Sequence, residues 1–295
     1  MPWKQLRIHT SERKVSKLES HLEGLGAISI TLEDSADDPI LEPALGETPL
    51  WDNTCIVALF ENDISIELIN QRLCKYGKAN LSDLNWEDIE DKDWEREWIK
   101  DYQPIKCSDN LWICPSWMDA PIEGAVNLKL DPGLAFGTGT HPTTFQCLKW
   151  LAQQDLRGLS IIDYGCGSGI LGIACLLLGA KEVIGIDIDP QALLASLDNT
   201  QRNGLPDEAF SVYLPEDAPD TKADIVLANI LAGPLIELAP LLNSRLKANA
   251  KICLSGILAE QENAIIDAYS KHLEIREVFN QENWLCVIGE KTPMN

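Results

Sequence analysis

Apolar and polar positions follow different periods in the first third of the chain and in the rest. Within the first 90 residues, runs of strand period alternate with runs of helical period; they cover 3–9, 11–25, 27–33, 54–60 and 64–76. This order predicts a small α+β domain over residues 1–88. The prolines and the glycine within 34–53 predict a long exposed loop inside it.

From about Ile105 onward, short apolar runs alternate with longer apolar helices. The predicted strands cover 159–163, 182–187, 225–229 and 251–255, and the predicted helices cover 169–178, 190–203 and 234–246. Strands that alternate with helices form a parallel sheet with helices on both faces. The pattern therefore predicts an α/β domain over residues 105–295.

A charged segment separates the two patterns. Residues 86–103 carry Trp94 and Trp98 four positions apart, on one face of a helix that ends before Pro104. We predict a linker helix over residues 89–104, and we expect its tryptophans to pack the linker against a domain rather than to stack on a ligand.

The length and composition of the chain are typical of a globular protein with two domains. The chain has 295 residues, of which 45% are hydrophobic and 24% charged, so it is long enough for two globular domains. No apolar run near its start has signal-peptide length, and the most apolar run, 170–180, is interrupted by Gly172 and Gly179. We expect a soluble cytoplasmic protein with that run as a buried helix. The lack of a heptad pattern favours a monomer.

Charge and cysteine usage limit the partners. The formal net charge is -22, and residues 1–90 hold 8 Lys+Arg against 17 Asp+Glu. This acidity disfavours direct binding to nucleic acid, and it serves either solubility or the attraction of a basic partner. The nine cysteines include no CxxC pair and no cluster with histidine along the sequence, which predicts reduced thiols and no metal site.

The most informative motif is LSIIDYGCGSGILG at 159–172, an apolar strand followed by glycines that lead into a helix. Glycines allow a sharp turn and the close approach of a ligand to bare backbone, and the helix start adds partial positive charge. Asp187 lies 22 positions after Gly165, at the end of the next strand, where an acidic residue accepts hydrogen bonds from a ribose. Its alternative role is a turn or capping residue before Pro190.

Two cofactors suit this arrangement. Residues 167–172 fit GxGxxG, so an NAD(P)-dependent oxidoreductase is one interpretation. The run DYGCGSG at 163–169 resembles the first motif of class I methyltransferases, in which the loop wraps the amino-acid part of S-adenosylmethionine. That resemblance implies a Rossmann-like fold and favours S-adenosylmethionine.

The run DIVLANILA at 224–232 occupies the position of the fourth strand of that fold. By the resemblance, the end of this strand faces the transferred methyl group, and Asn229 offers an amide oxygen and an NH2 there. Methyltransferases that act on bases or glutamine often continue Asn-Pro-Pro-aromatic, whereas this chain continues Asn229-Ile230-Leu231-Ala232. Planar amide or base substrates are therefore disfavoured.

The run LDPGLAFGTGTHPTT at 130–144 precedes a helix that starts near Pro142. Its glycines, prolines and threonines suit a loop that closes over a ligand. Thr143 or Thr144 supplies either a hydroxyl for that ligand or a helix cap. For His141 we expect a surface or capping role rather than a catalytic base.

Together with GCGSGIL, GIDIDP, ANILAGPL and DWEREW, this run resembles the bacterial methyltransferases of large-subunit ribosomal protein eleven over nearly the whole chain. The resemblance implies a ferredoxin-like first domain that recognises the ribosomal protein, a helical linker, and methylation of lysine and α-amino groups. It also implies a set of site residues with Asn229 as the catalytic one; the cofactor contacts are Thr144, Phe136, Gly165, Gly167, Asp187 and Asn229.

Other functions stay open from the sequence. A methyltransferase for a different protein or for a small molecule fits every motif, and only the family resemblance disfavours it. A domain that binds the cofactor or a partner without turnover is a further alternative, which predicts tight binding and no methylated product. The motifs contain no evident catalytic His or Cys, so we expect positioning and desolvation, rather than a dedicated base, to drive the reaction.

Overall fold

A computed structural model describes residues 3–36, 49–75, 84–89, 103–119, 121–122, 124–131 and 139–292. The chain divides into two compact units, Met1–Tyr102 and Gln103–Asn295. Most of the linker helix that we predict over 89–104, including Trp94 and Trp98, lies outside the described residues.

The first unit has the element order βαββαβ. Its elements are β1 (Trp3–Ser11), α1 (Glu12–Gly24), β2 (Ser29–Asp34), β3 (Asn53–Glu61), α2 (Ile66–Lys75) and β4 (Leu84–Ile89). The four strands form an antiparallel sheet in the order β2-β3-β1-β4, which is the ferredoxin-like arrangement. Helix α1 buries Val15, Leu18 and Leu22, whose spacing of three and four places them on one helical face.

One expectation about this unit is wrong. Residues 86–89 belong to the edge strand β4, paired antiparallel with β1, and not to the charged linker segment. Leu84 and Trp86 alternate with polar residues and face the core, where Trp86 donates a hydrogen bond to Asn70 Oδ1 at 3.0 Å. The acidic residues Glu87 and Asp88, which follow Trp86, hid this strand period in the sequence.

The second unit contains a small sheet and a large one. The small sheet joins β5 (Ile105–Lys106), β6 (Leu111–Cys114) and β7 (Val126–Lys129). The large sheet comprises β8 (Ser160–Tyr164), β9 (Glu182–Ile186), β10 (Phe210–Tyr213), β11 (Ala223–Asn229), β12 (Leu246–Leu258), β13 (Glu274–Gln281) and β14 (Trp284–Glu290). Its helices are α3 (Pro142–Leu151), α4 (Ile170–Leu177), α5 (Pro190–Arg202), α6 (Ala232–Ser244) and α7 (Glu262–Tyr269).

The large sheet has the strand order β10-β9-β8-β11-β12-β14-β13; β14 pairs antiparallel with both β12 and β13, and the other neighbouring strands pair in parallel. Alternate residues of the central strands enter two separate cores: Ile225 and Leu227 of β11 join the core with α3 and α4, and Val226 and Ala228 join the core with α6 and α7. The predicted Rossmann-like fold is confirmed. Because β8, β9 and β11 are parallel, their carboxyl ends meet at one edge of the sheet.

Several elements of this unit escaped the sequence analysis. Strand β10 is only four residues long, and β13 is an edge strand whose residues are mostly exposed, so neither shows a clear apolar run. The predicted helix over 170–180 is α4, which is buried. None of the helices in the described ranges combines the length and the apolar character needed to cross a membrane.

Candidate functional site

The glycine-rich loop between β8 and α4 turns through three left-handed residues. Gly165, Gly167 and Gly169 have φ angles of 76°, 56° and 78°, which side chains other than glycine rarely tolerate. The Gly165 N–H donates to Ile186 O at 2.7 Å, so the loop is fixed to the end of β9. Glycine occupies these alternate positions because the backbone there is left-handed, and as a result bare backbone forms the surface of the loop.

The carboxylate of Asp187 closes the glycine loop. Its Oδ2 accepts the Gly167 N–H at 2.9 Å, and its Oδ1 accepts the Asp189 N–H at 3.0 Å. Asp189 in turn caps α5 by accepting the Gln191 N–H at 2.9 Å. Of the alternative roles for Asp187, the cap of α5 belongs to Asp189, whereas Asp187 does make a turn contact with the Asp189 N–H in addition to its contact with the loop.

Helix α5 supports the same loop from behind. Ser196 Oγ donates to Gly167 O at 2.9 Å, and Asn199 Nδ2 donates to Ser168 O at 2.8 Å. Both side chains are buried. These two residues were not predicted from the sequence. The available signal was that small polar residues recur at helical spacing with Ala192 on one face of α5, and all of them are buried.

Asp163, at the acidic position of the first motif, is a buried carboxyl. Its side chain is 1% exposed and accepts the Gly172 N–H at 2.9 Å within α4. Burial raises the pKa of Asp163 to about 7, although the hydrogen bond from Gly172 opposes this effect. Asp163 therefore anchors the start of α4 from below the loop and does not reach the loop surface.

This carboxyl predicts a pH dependence of stability. The folded protein holds the Asp163 proton more tightly than the unfolded chain does, so the resulting stabilisation is complete below about pH 4 and is lost as pH rises through about 7. Relative to Asp163→Asn, the free energy of unfolding of the wild type should fall by about 2 to 3 kcal/mol between about pH 5 and pH 8. Urea unfolding at several pH values measures it, and parallel curves for the two proteins would contradict the role given to burial.

The end of β11 meets the start of α3. Asn229 Nδ2 donates to Thr144 Oγ1 at 3.1 Å, and Thr144 is 2% exposed. The predicted catalytic residue and one predicted cofactor contact therefore lie side by side, although 85 positions separate them in the sequence. Because the NH2 group of Asn229 makes this bond, the amide oxygen of Asn229 has a fixed direction relative to α3.

His141 caps α3, as expected for a capping residue. Its Nδ1 accepts the Thr143 N–H at 3.4 Å, and its ring meets the Trp284 ring edge to face at a centroid distance of 5.0 Å. One turn further along α3, Gln146 Nε2 donates to Trp284 O at 3.1 Å. The first residue of β14 thus holds the helix that carries Thr144.

Ile230, which follows Asn229, lies against both the glycine loop and strand β12. A Cβ on Gly165 would lie 2.2 Å from Ile230 Cγ2, and a Cβ on Gly256 would lie 2.2 Å from Ile230 O. Gly256 has a φ of 84° and lies where the register between β12 and β14 shifts. Sequence analysis missed Gly256; the signal was an isolated glycine within a strand, which marks a bulge or a close backbone contact.

The structure brings five of the predicted site residues to one edge of the sheet, the carboxyl ends of β8, β9 and β11. They are Thr144, Gly165, Gly167, Asp187 and Asn229. Phe136 lies outside the described residues. Their roles toward a ligand stay predictions.

The chemistry of this edge fits an adenosine cofactor without a pyrophosphate. Asp187 is an acceptor for ribose hydroxyls, and the left-handed glycines present bare backbone. Within residues 163–187 the only Lys or Arg is Lys181, which pairs with Glu182 at 3.5 Å. The Asp187 carboxylate beside Gly167 suits the hydroxyl groups or a cationic group of a ligand better than a phosphate.

Comparison with known proteins agrees with this geometry. A sequence model of the family described as ribosomal protein L11 methyltransferase (PrmA) matches residues 2–292. The chain is 57% identical to a ribosomal protein L11 methyltransferase of Saccharophagus degradans, covering 99% of this chain and 100% of the relative. It is 54% identical to one of Cellvibrio japonicus, covering 99% of each.

A solved structure supports the fold. The crystal structure of a ribosomal protein L11 methylase from Lactobacillus delbrueckii subsp. bulgaricus aligns with a TM-score of 0.60 at 32% identity, covering 65% of this chain and 100% of that one.

Proposed function

This chain belongs to the ribosomal protein L11 methyltransferase (PrmA) family, and from that membership we propose that it transfers methyl groups from S-adenosylmethionine to ribosomal protein L11. The acceptors are lysine side chains and the α-amino group. The observation that carries the proposal is the contact between Asn229 and Thr144 beside the glycine loop, because it joins an amide suited to orient an amine to a site suited to a nucleoside.

The residues that would hold the cofactor are those of the glycine loop and Asp187. When bound, S-adenosylmethionine supplies a methyl group on a positively charged sulfur. The backbone of Gly165 and Gly167 lines the loop, and the Asp187 carboxylate accepts hydrogen bonds. Each of these groups is already fixed by contacts within the protein, so the binding of S-adenosylmethionine requires little further ordering of the loop.

Asn229 orients the acceptor amine. Its NH2 is engaged by Thr144, so its amide oxygen points in one direction and accepts an N–H of the incoming amine. Methyl transfer requires the neutral amine, and freeing the lone pair of a lysine of pKa about 10.4 at pH 7 costs about 4 to 5 kcal/mol. Desolvation at the edge of the sheet lowers this cost, and solvent takes the proton.

The acceptor orientation predicts a specific kinetic defect. Asn229→Ala should lower kcat by about 100-fold, because the amine loses a fixed hydrogen-bond acceptor near the reacting atoms. The dissociation constant of S-adenosylmethionine, measured by calorimetry, should change less than about fivefold. Thr144→Val is the matched variant: it keeps the shape of the side chain, removes the hydroxyl that fixes Asn229, and should lower kcat by about tenfold. Full turnover in Asn229→Ala would disprove the orienting role.

We further propose that the protein acts in the cytoplasm as a monomer and that its ferredoxin-like unit recognises L11. The acidic surface then attracts a basic substrate. The association rate constant with L11 should fall by roughly tenfold as the salt concentration rises from about 0.05 M to about 0.5 M, because salt screens this attraction. Stopped-flow measurements at several salt concentrations test the effect, and a constant rate would contradict electrostatic attraction.

The direct test of the function is mass spectrometry. Purified L11 is incubated with this protein and S-adenosylmethionine, and L11 should gain mass in steps of one methyl group. If L11 gains no mass while calorimetry shows that S-adenosylmethionine binds, the substrate assignment fails and the cofactor assignment survives. Binding of NAD(P)H instead of S-adenosylmethionine would favour the oxidoreductase interpretation.

A further inference from the structure

Three cysteines that are distant in sequence meet inside the second unit. They come from three elements: Cys147 from α3, Cys253 from β12 and Cys286 from β14. The Sγ of Cys253 lies 3.7 Å from the Sγ of Cys147 and 3.5 Å from that of Cys286, and all three sulfurs lie within 4.8 Å of one another. We call this group the thiol triad.

The thiol triad is enclosed. Each of its cysteines is at most 1% exposed, and all three belong to the apolar core between α3 and the sheet. All three are free thiols. The spacing of cysteines along the chain predicted no metal site, but that argument does not reach side chains that only the fold brings together.

Two of the three sulfur separations match those of a pyramidal three-sulfur centre. Bonds of about 2.3 Å to thiolates that diverge at right angles separate the sulfurs by about 3.3 Å, tetrahedral angles give about 3.8 Å, and a flat trigonal centre gives about 4.0 Å. The two separations that involve Cys253, 3.5 and 3.7 Å, fall within the pyramidal range, and the Sγ atoms of Cys147 and Cys286 lie within 4.8 Å of each other. A tetrahedral zinc site needs a fourth ligand, and among the described residues the group of metal-binding side chains here contains only these three.

The charge of the three thiolates restricts the valence of the ion that can bind them. A net charge in an apolar core is costly, so the preferred ion neutralises the groups that bind it. Three thiolates carry three negative charges, which a trivalent ion cancels, whereas a divalent or a monovalent ion leaves the centre negative. Soft thiolate ligands also favour soft ions.

We propose that the thiol triad is a binding site for a trivalent thiophilic metalloid of the arsenite class. Binding exchanges three arsenic–oxygen bonds of arsenous acid for three arsenic–sulfur bonds, and each thiol proton leaves with one hydroxide as water. Arsenic stays trivalent, so the step needs neither oxidant nor reductant. The product is a neutral centre that ties α3 to β12 and β14.

The test uses the full chain, reduced with a phosphine and incubated with sodium arsenite. After removal of free arsenite, elemental analysis should find about one arsenic per chain in the wild type, and X-ray absorption of the same sample should find arsenic bound to three sulfurs and to no oxygen. The thermal unfolding midpoint should rise on loading, because the ion binds the folded state. The absorption measurement requires no variant, so it stays informative if a variant fails to fold.

Variants locate the site. Cys147→Ala, Cys253→Ala and Cys286→Ala should each lose bound arsenic, whereas Cys175→Ala, which removes a buried thiol of α4 outside the triad, should keep about one per chain. Several results would overturn the proposal: no retained arsenic in the wild type, arsenic with an oxygen ligand, or equal loss in Cys175→Ala. Displacement of arsenic by equimolar zinc or monovalent copper would overturn the charge argument.

Discussion

Replacement of Asp187 with alanine is expected to weaken the binding of S-adenosylmethionine by about 100-fold or more. Two hydrogen bonds from ribose hydroxyls to a carboxylate contribute about 1.5 kcal/mol each at the low end, and each 1.4 kcal/mol is a factor of ten. The change also removes the acceptor for the N–H groups of Gly167 and Asp189, so the glycine loop loses a fixed contact. Isothermal calorimetry measures the dissociation constant.

Asp189→Ala is the matched control for this experiment. Asp189 lies two positions further along and caps α5, so its removal should cost about 1 kcal/mol of stability and leave cofactor binding within about threefold of the wild type. Asp187→Asn keeps one acceptor oxygen and should bind with intermediate affinity. If Asp187→Ala and Asp189→Ala bound the cofactor equally well, the ribose contact assigned to Asp187 would be wrong.

Gly256→Ala should cost about 2 to 5 kcal/mol of the free energy of unfolding. The new Cβ would lie 2.2 Å from Ile230 O and 2.7 Å from Ile230 C, and both are backbone atoms that cannot rotate away. The φ of 84° adds about 1 to 2 kcal/mol for any side chain, and overpacking adds about 1 to 3 kcal/mol. Denaturant unfolding of the purified variant measures the loss.

Gly233→Ala tests whether the effect is specific. Gly233 lies within α6, and an added Cβ would meet nothing within 4 Å, so alanine there should stabilise the protein by about 0.5 to 1 kcal/mol. Because Ile230 directly follows Asn229, Gly256→Ala should also lower kcat in the fraction that still folds. A Gly256→Ala protein as stable as Gly233→Ala would show that the backbone at Ile230 moves freely.

The sequence was sufficient to predict the elements that carry strong periodicity. The strands that become β8, β9 and β11 and the helices α4, α5 and α6 are predicted to within two residues at their ends. Most of them are runs of apolar residues bounded by glycine, proline or aspartate, whereas α5 is marked by Asp189 and Pro190 at its start. The glycine loop and Asp187 were identifiable because their chemistry is local: a strand end, a turn and a helix start.

Features that depend on distant contacts were not accessible in this way. The bond from Asn229 to Thr144 spans 85 positions, and no spacing rule connects them. The role of Gly256 depends on how closely β11 approaches the bulge in β12, and the thiol triad depends on the meeting of three elements. Strand β4 was missed because its alternation is interrupted by charge and only its pairing with β1 reveals which side faces the core.

The position of β14 sets an order of events during synthesis of the protein. Strand β14 lies between β12 and β13 in the sheet, and its first residue, Trp284, contacts both His141 and Gln146 of the α3 region. The glycine loop, Asp187, Thr144 and Asn229 leave the ribosome earlier than this strand. A nascent chain that ends before residue 284 therefore lacks two of the contacts that hold α3, those of Trp284 with His141 and Gln146, so we expect methyl transfer to begin only once nearly the whole second unit has been released.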